Sequence, residues 1–331
     1  MNVRRMLSQL LLAPVLLFGV VIPVIAGGAA EEPSAEGPRD YPYGIVATTG
    51  MIGDIVREVA GDRATVQVLM GEEVDPHLYR PTRADVARMQ QAELIFYNGL
   101  NLEGQMSDTL IQLARSSPVY AVTDLVDEEL LMDHEEYDGA FDPHLWMDVT
   151  LWMNAVDAVV RTLTEFDPDN AGEYRSRGTT YRTRLEELDR YVHAVTSTLP
   201  EDRRILVTAH DAFQYFGRAY GLSVLGVQGL STESEAGLED INAVVRLLVD
   251  RAVPAVFAES TVADRALQAV IEGAAARGHR VELGGEIYSD AMGPAGTWEG
   301  TYIGMVDHNA TTIVRALGGE APEGGFREYQ E

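Results

Sequence analysis

From residue 41 onward the chain switches repeatedly between short apolar runs and longer segments with an apolar residue every third or fourth position. The first pattern predicts buried strands and the second predicts amphipathic helices. Tyr43–Thr48 reads as a strand, and Met51–Ala60 as a helix stopped by Gly61. Strands over Thr65–Met70, Leu94–Tyr97 and Val119–Val122 follow, with helices over Thr82–Gln91 and Leu102–Ser116 between them. Thr82 is placed to cap its helix, and Asp85 to sit near the positive end of its dipole. Alternation at this spacing predicts βαβ units and a mainly parallel sheet.

The rhythm then breaks. Asp148 to Leu199 contains no strand candidate, only helical pattern interrupted at Phe166-Asp167-Pro168. If continuous, the part from Asn170 to Leu199 would run about 45 Å at 1.5 Å per residue, long for a globular helix. Gly178 is its one internal interruption, and Arg182/Glu186 and Glu186/Arg190 stand at i, i+4 as expected of a solvated face. Alternation resumes with strands over Ile205–Ala209, Val224–Val227, Ala255–Ala258 and Arg280–Leu283. The helices predicted among them are Asp211–Tyr220, Leu238–Arg251, Asp264–Arg277 and Thr301–Leu317. The predicted architecture is α/β: two βα lobes with mainly parallel sheets, joined by a long rigid linker helix. In domain terms that is an N-terminal lobe over 41–168, a linker helix over 169–200 and a C-terminal lobe over 201–331.

The 40 residues before this pattern read as non-domain sequence. Met1–Arg5 carries two Arg, Met6–Ala26 is almost wholly apolar, and Gly27-Gly28-Ala29-Ala30 follows. This predicts a signal peptide over 1–26, then a flexible acidic tether over 27–40. The composition narrows the function further. Acids outnumber bases 52 to 25, giving a formal charge of −27, and all the bases are Arg. Such a chain is ill suited to nucleic acid, which requires clustered positive charge. With no cysteine there are no disulfides, thiolate metal sites, Cys nucleophiles or N-terminal lipid anchor.

The most informative chemistry is a repeated tripeptide. Asp75-Pro76-His77 follows the second strand, and Asp142-Pro143-His144 precedes the helical stretch. A third histidine, His210, directly follows Ile205–Ala209, and Asp290 lies beyond the last predicted strand. Open α/β sheets bind ligands outside the carboxyl ends of their strands, so a cleft between two lobes would gather these four groups. Three imidazoles and a carboxylate suit tetrahedral Zn²⁺; a bidentate carboxylate raises the coordination and admits Mn²⁺. The ordinary alternative is that each His caps a helix or satisfies a local backbone group.

Longer segments sharpen this reading. DPHLYRPTRAD (75–85), IFYNGLNLE (95–103), FDPHLWMD (141–148), LVTAHDAFQYFGRAYG (206–221), FAES (257–260) and GGEIYSDAMGPAGTWEGTYIGMVDHN (284–309) resemble the cluster A-I solute-binding proteins of zinc and manganese ABC transporters. The resemblance covers essentially the whole chain after the leader. It implies metal ligands at His77, His144, His210 and Asp290, and a receptor that passes its ion to a membrane permease driven by a cytoplasmic ATPase. The chain is thus expected to be a periplasmic monomer and not an enzyme; cell adhesion is a further role for which nothing in the sequence argues. Manganese-dedicated relatives carry Glu at the third position, where this chain has His210; zinc-dedicated ones carry a His-rich loop where 127–139 here is acidic and holds only His134. Zinc against manganese therefore stays open, with zinc favoured in vitro by three imidazoles and the Irving–Williams order.

Glu259, at the end of Ala255–Ala258, is the candidate to accept the far N–H of a ligand His, with Asp211 and Glu286 behind it. His134 is the candidate for loose capture of metal on the acidic loop, while His193 reads as part of a solvated helical face and His279 and His308 as structural. Two alternatives stand beside the receptor. A zinc hydrolase would keep an open water position, and no HExxH motif is present. A binder of siderophore, haem or corrinoid on a similar two-lobe fold would need a wide cleft.

Overall fold

The computed structural model describes residues 40–133 and 139–330. The expected leader and tether, and His134 on the acidic loop, lie outside the described residues. β1 (Tyr43–Ala47), α1 (Gly50–Ala60), β2 (Ala64–Val68), α2 (Arg83–Gln91), β3 (Leu94–Tyr97), α3 (Ser107–Leu113) and β4 (Val119–Ala121) build the first lobe. Their strands form one parallel sheet in the order β2-β1-β3-β4. Two helices follow, α4 (Val149–Phe166) and α5 (Ala171–Ser197). The second lobe contains β5 (Ile205–His210), α6 (Gln214–Tyr220), β6 (Ser223–Gln228), α7 (Leu238–Asp250), β7 (Ala255–Glu259), α8 (Arg265–Ala276), β8 (Glu282–Ile287), α9 (Tyr302–Ala316) and α10 (Phe326–Tyr329). Its sheet is also parallel, in the order β6-β5-β7-β8.

The expected α/β class and the helix between the lobes are both present. In each sheet the first strand in sequence is central, with the chain turning to either side of it. That topological switch point opens the crevice at the carboxyl ends of the strands.

The long helix α5 has 27 residues, about 40 Å at 1.5 Å per residue. Its buried positions Tyr174, Gly178, Tyr181, Leu185, Leu188, Val192 and Val195 alternate at four- and three-residue spacing, which keeps one stripe against α1, α4 and α9. Gly178 is a close-packing position, since a Cβ there would meet Val160 Cγ2 of α4 at 2.4 Å. Arg182 does not follow the predicted i, i+4 pairing; it reaches α4 instead, where it binds Asp157 at 2.8 Å and the Met153 carbonyl.

Three boundaries differ most from the periodicity. The helix expected from Leu102 starts at Ser107 after a 3₁₀ turn, Gly104–Met106. Glu103 folds inward and accepts the backbone N–H groups of Asn98 and Gly99, which fixes a turn where the helix was expected to begin. The helix expected from Asp211 starts at Gln214, because the Asp211 N–H still bonds to the Gly229 carbonyl. The last strand, expected to stop at Leu283, continues to Ile287. Gly284 and Gly285 do not end it: a Cβ on Gly284 would lie 2.7 Å from the Phe257 ring, so that position is glycine for close approach.

The largest apolar cluster crosses the whole unit. It joins Tyr43 and Ile45 of β1, Ile55 of α1, Trp152 of α4, Leu185 of α5, Phe257 of β7 and Ile313 of α9. Smaller clusters lie on the other face of each sheet. Among the described residues, no helix is long and apolar enough to cross a membrane.

Candidate metal centre

Both Asp-Pro-His tripeptides fold into the same local turn. The Asp75 carboxylate accepts the His77 N–H at 2.8 Å, and Asp142 accepts the His144 N–H at 2.9 Å. A carboxylate bonding two residues along stabilises a tight turn, and the intervening proline fixes its φ. His210 is the last residue of β5, and Glu259 the last of β7. Thr208 pairs with Phe257 in register, so His210 and Glu259 are neighbours at the carboxyl edge of the sheet. Asp290 follows β8 three positions after Ile287.

These four predicted residues come together. One donor atom from each of His77, His144, His210 and Asp290 lies within 4.8 Å of all the others. The residues are 6%, 0%, 0% and 2% exposed. His77 Nε2 is 3.2 Å from His144 Nε2. Asp290 Oδ2 is 3.5 Å from His77 Nε2 and 3.3 Å from His210 Nε2, and Oδ1 is 3.4 Å from His144 Nε2. Donors bound at 2.0–2.2 Å to one tetrahedral centre stand roughly 3.3–3.6 Å apart. These four separations, which draw on both Asp290 oxygens, fall close to that spacing. His210 Nε2 and both Asp290 oxygens are buried without a hydrogen-bond partner, which is costly unless a cation satisfies them.

The electrostatics follow from the carboxylates around the rings. Glu259 accepts from His210 through both its backbone N–H, at 2.7 Å, and Nδ1, at 2.5 Å. Asp142 holds His144 Nδ1 at 2.7 Å as well as its N–H. Burial opposes charge on His210, yet Glu259 and Asp290 outweigh it and hold the imidazole well above its ordinary pKa. On His144, too, burial opposes charge, and Asp142 followed by Asp290 overrides it upward. Burial pushes Asp290 up, and the three histidines, His210 first, pull it far below the usual carboxylate range.

Glu259 thus stands where the sequence placed it, against a ligand candidate. Asp142 is the group that sequence reasoning missed. An acid precedes each of His77 and His144 by two positions, and at that spacing it reads equally as a turn former. Asp211, held by Gln214 at 2.8 Å, lies behind the site, its pKa pushed up to about 6 chiefly by burial. Glu286 is exposed, and its carbonyl bonds to His308 Nε2. His279 bonds to the Val253 carbonyl, as expected of a structural histidine; His193, expected on a solvated face, is about half exposed and also packs edge-on to Tyr220. Among the aromatics near the site, Trp146 lies edge-on to His144 at 5.2 Å, whereas Tyr79 donates to Asp85 and Tyr288 packs on His308.

Comparison with known proteins agrees with this geometry. The family described as zinc-uptake complex component A, periplasmic, matches residues 45–316. The chain is 45% identical to the zinc-binding protein TroA of Treponema pallidum over 273 residues, 82% of this chain and 88% of that protein. It is 41% identical to the manganese-binding lipoprotein MntA of Bacillus subtilis over 284 residues, 86% of this chain and 92% of that protein. The solved structure of the periplasmic zinc-binding protein TroA from T. pallidum superposes with a TM-score of 0.81, covering 83% of this chain and 99% of that one at 45% identity. Fe(III)-bound YtgA from Chlamydia trachomatis superposes with a TM-score of 0.76 at 30% identity, covering 85% and 100%. On the reach of the family match and of these relatives, the chain belongs to the zinc-uptake complex component A family of periplasmic proteins.

Proposed function

We infer that the chain is the extracytoplasmic receptor of an ABC importer, and that it binds one Zn²⁺ or Mn²⁺ through His77, His144, His210 and Asp290. It releases the ion to a membrane permease driven by a cytoplasmic ATPase. The observation that carries this reading is the buried set of three imidazoles and one carboxylate with donor atoms within 4.8 Å of one another, and with unpartnered oxygens on Asp290. The protein is a receptor and not an enzyme. Four protein donors leave no open position for the water that a zinc hydrolase needs. Donor atoms within 4.8 Å of one another leave no space among them for a macrocycle.

Three carboxylates serve the site, since Glu259 and Asp142 orient and polarise His210 and His144 while Asp290 binds the ion. Together they more than neutralise a divalent ion. Three imidazoles favour zinc in vitro, and supply decides which ion is carried. The leader would deliver the chain to the periplasm as a soluble monomer, and its strongly acidic surface keeps it off nucleic acid.

Calorimetric competition of Zn²⁺ and Mn²⁺ on metal-stripped protein tests the reading. One ion per chain with zinc tighter is expected, and His210→Glu should improve manganese relative to zinc. No stoichiometric binding of either ion would overturn it.

A further inference from the structure

The two ligand segments of the first lobe are attached to the second lobe in different ways. The segment bearing His144 is fastened by buried hydrogen bonds on both sides of the ring. Trp146 Nε1 donates to the Ser289 carbonyl at 2.8 Å, next to Asp290; Tyr302 OH donates to the Trp146 carbonyl at 2.7 Å; and Tyr215 OH donates to the Asp142 carbonyl at 3.0 Å. The segment bearing His77 meets the second lobe at the rim. There Thr232, in the loop between β6 and α7, donates its hydroxyl to Asp75 Oδ2 at 2.5 Å, while Asp75 Oδ1 holds the His77 N–H. Gln105 bonds to Glu233 beside it.

The same rim borders a cavity of about 350 Å³, which His77 lines together with Leu100, Asn101, Pro143, Leu230 and Glu233. Its floor is strained. Leu100 and Asn101 have φ of 53° and 64°, directly after Gly99 at 91°, and two non-glycine residues in the left-handed region carry a conformational cost. His144, His210 and Asp290 do not line this cavity.

We propose that Thr232 is a positioning residue for metal retention: through Asp75 it holds His77 in place from the opposite lobe, and the ion enters and leaves on the His77 side through this cavity. The inference rests on the receptor reading above and adds the route and the residue that controls it. Parting of Thr232 from Asp75 removes the hold of the β6–α7 loop on the His77 turn without disturbing the bolted His144 segment. Departure of the β6–α7 loop, such as a permease would impose, is then coupled to loss of one ligand. A hydrogen bond to a carboxylate that is lost on opening raises the barrier to release.

The test is zinc release from the loaded full-length protein into excess strong chelator, followed by stopped flow. Thr232→Val should release zinc roughly 10-fold faster or more, with parental thermal stability when metal-free. Thr232→Ser, which keeps the hydroxyl, should restore the slow rate. Tyr215→Phe is the contrast: it removes a bolt of the His144 segment and should lower the melting temperature of the metal-free protein. A parent that binds zinc together with a Thr232→Val protein that releases it at the parental rate would overturn the inference alone. Equal acceleration by Thr232→Val and Thr232→Ser would overturn it also. A parent that binds no metal would overturn the receptor reading and this inference with it.

Discussion

His210 sets the pH behaviour of the centre. Its imidazole must be neutral to bind metal, and Glu259 and Asp290 hold its pKa well above the ordinary value despite burial. Protons therefore compete for the site at higher pH than for a free imidazole. Metal affinity is at its fullest above that raised pKa and falls as pH drops through it, so the loss begins above the ordinary value of about 6.5. Chelator competition between pH 8 and pH 6 should show this decline. In Glu259→Gln, affinity at pH 8 should drop roughly 10- to 100-fold, as for other partners of ligating histidines. The decline should also move to lower pH, because the neutral amide no longer favours the imidazolium. An unshifted pH profile would show that Glu259 does not act through His210. These roles were half legible in the sequence. Glu259 could be named because it ends an apolar strand, as His210 does. Asp142 could not, because a turn-forming Asp and a ring-orienting Asp look identical until the ring turns back on it, and at Asp75 the second oxygen goes to Thr232 instead.

At the scale of elements, α4 and α5 show how far helical spacing can be read. The stripe on α5 was visible as pattern, and its closest point against α4 is Gly178. Gly178→Ala should raise intrinsic helix propensity by up to about 1 kcal/mol. The new Cβ would stand 2.4 Å from a methyl of Val160, and Val has little rotamer freedom in a helix. Overpacking should prevail, with a net loss of about 1–3 kcal/mol in urea unfolding of the metal-free protein. An unchanged midpoint would mean that α4 yields without cost. The pairing of Arg182 with Asp157 was not legible, since it depends on which helix lies alongside and not on spacing within α5. The Gly-Gly in β8 misled for a related reason: glycine marks the end of a strand or a place where something approaches closely, and only the Phe257 ring decides which.

In the whole molecule, one buried carboxylate touches both lobes and the helix between them. Asp54 of α1 accepts from Tyr181 OH of α5 at 2.7 Å and from the backbone of Tyr302 at the start of α9. Burial pushes its pKa up to about 6, the Tyr181 bond opposing and Glu58 adding to the rise. Its folded value thus exceeds the unfolded one near 3.8, so its contribution is fully present below that unfolded value and is lost as pH rises through about 6. The shift of about 2 units corresponds to something on the order of 3 kcal/mol. Asp54→Asn should therefore be more stable than the parent at pH 8 and lose most of that advantage at pH 4, as measured by urea unfolding without metal. Equal stability at both values would place the charge of Asp54 in a better solvated setting.

The two-lobe plan was legible because alternation of strands and helices fixes topology before any contact is known. The common core was not, because periodicity says which face is buried but not against what. That core has a consequence for synthesis. β1, at the start of the described chain, shares its apolar cluster with α9, near the end. A ribosome that has made only the first lobe and the two helices after it has made one side of an interface, with Trp152 and Leu185 lacking the far wall they pack within. Nascent chains cut before Tyr302 should stay sensitive to protease, and resistance should appear in one step once α9 has emerged. A polypeptide whose shared core lacks a wall until its last long helix is present would stay threadable to the end, which is the condition translocation in an extended state requires.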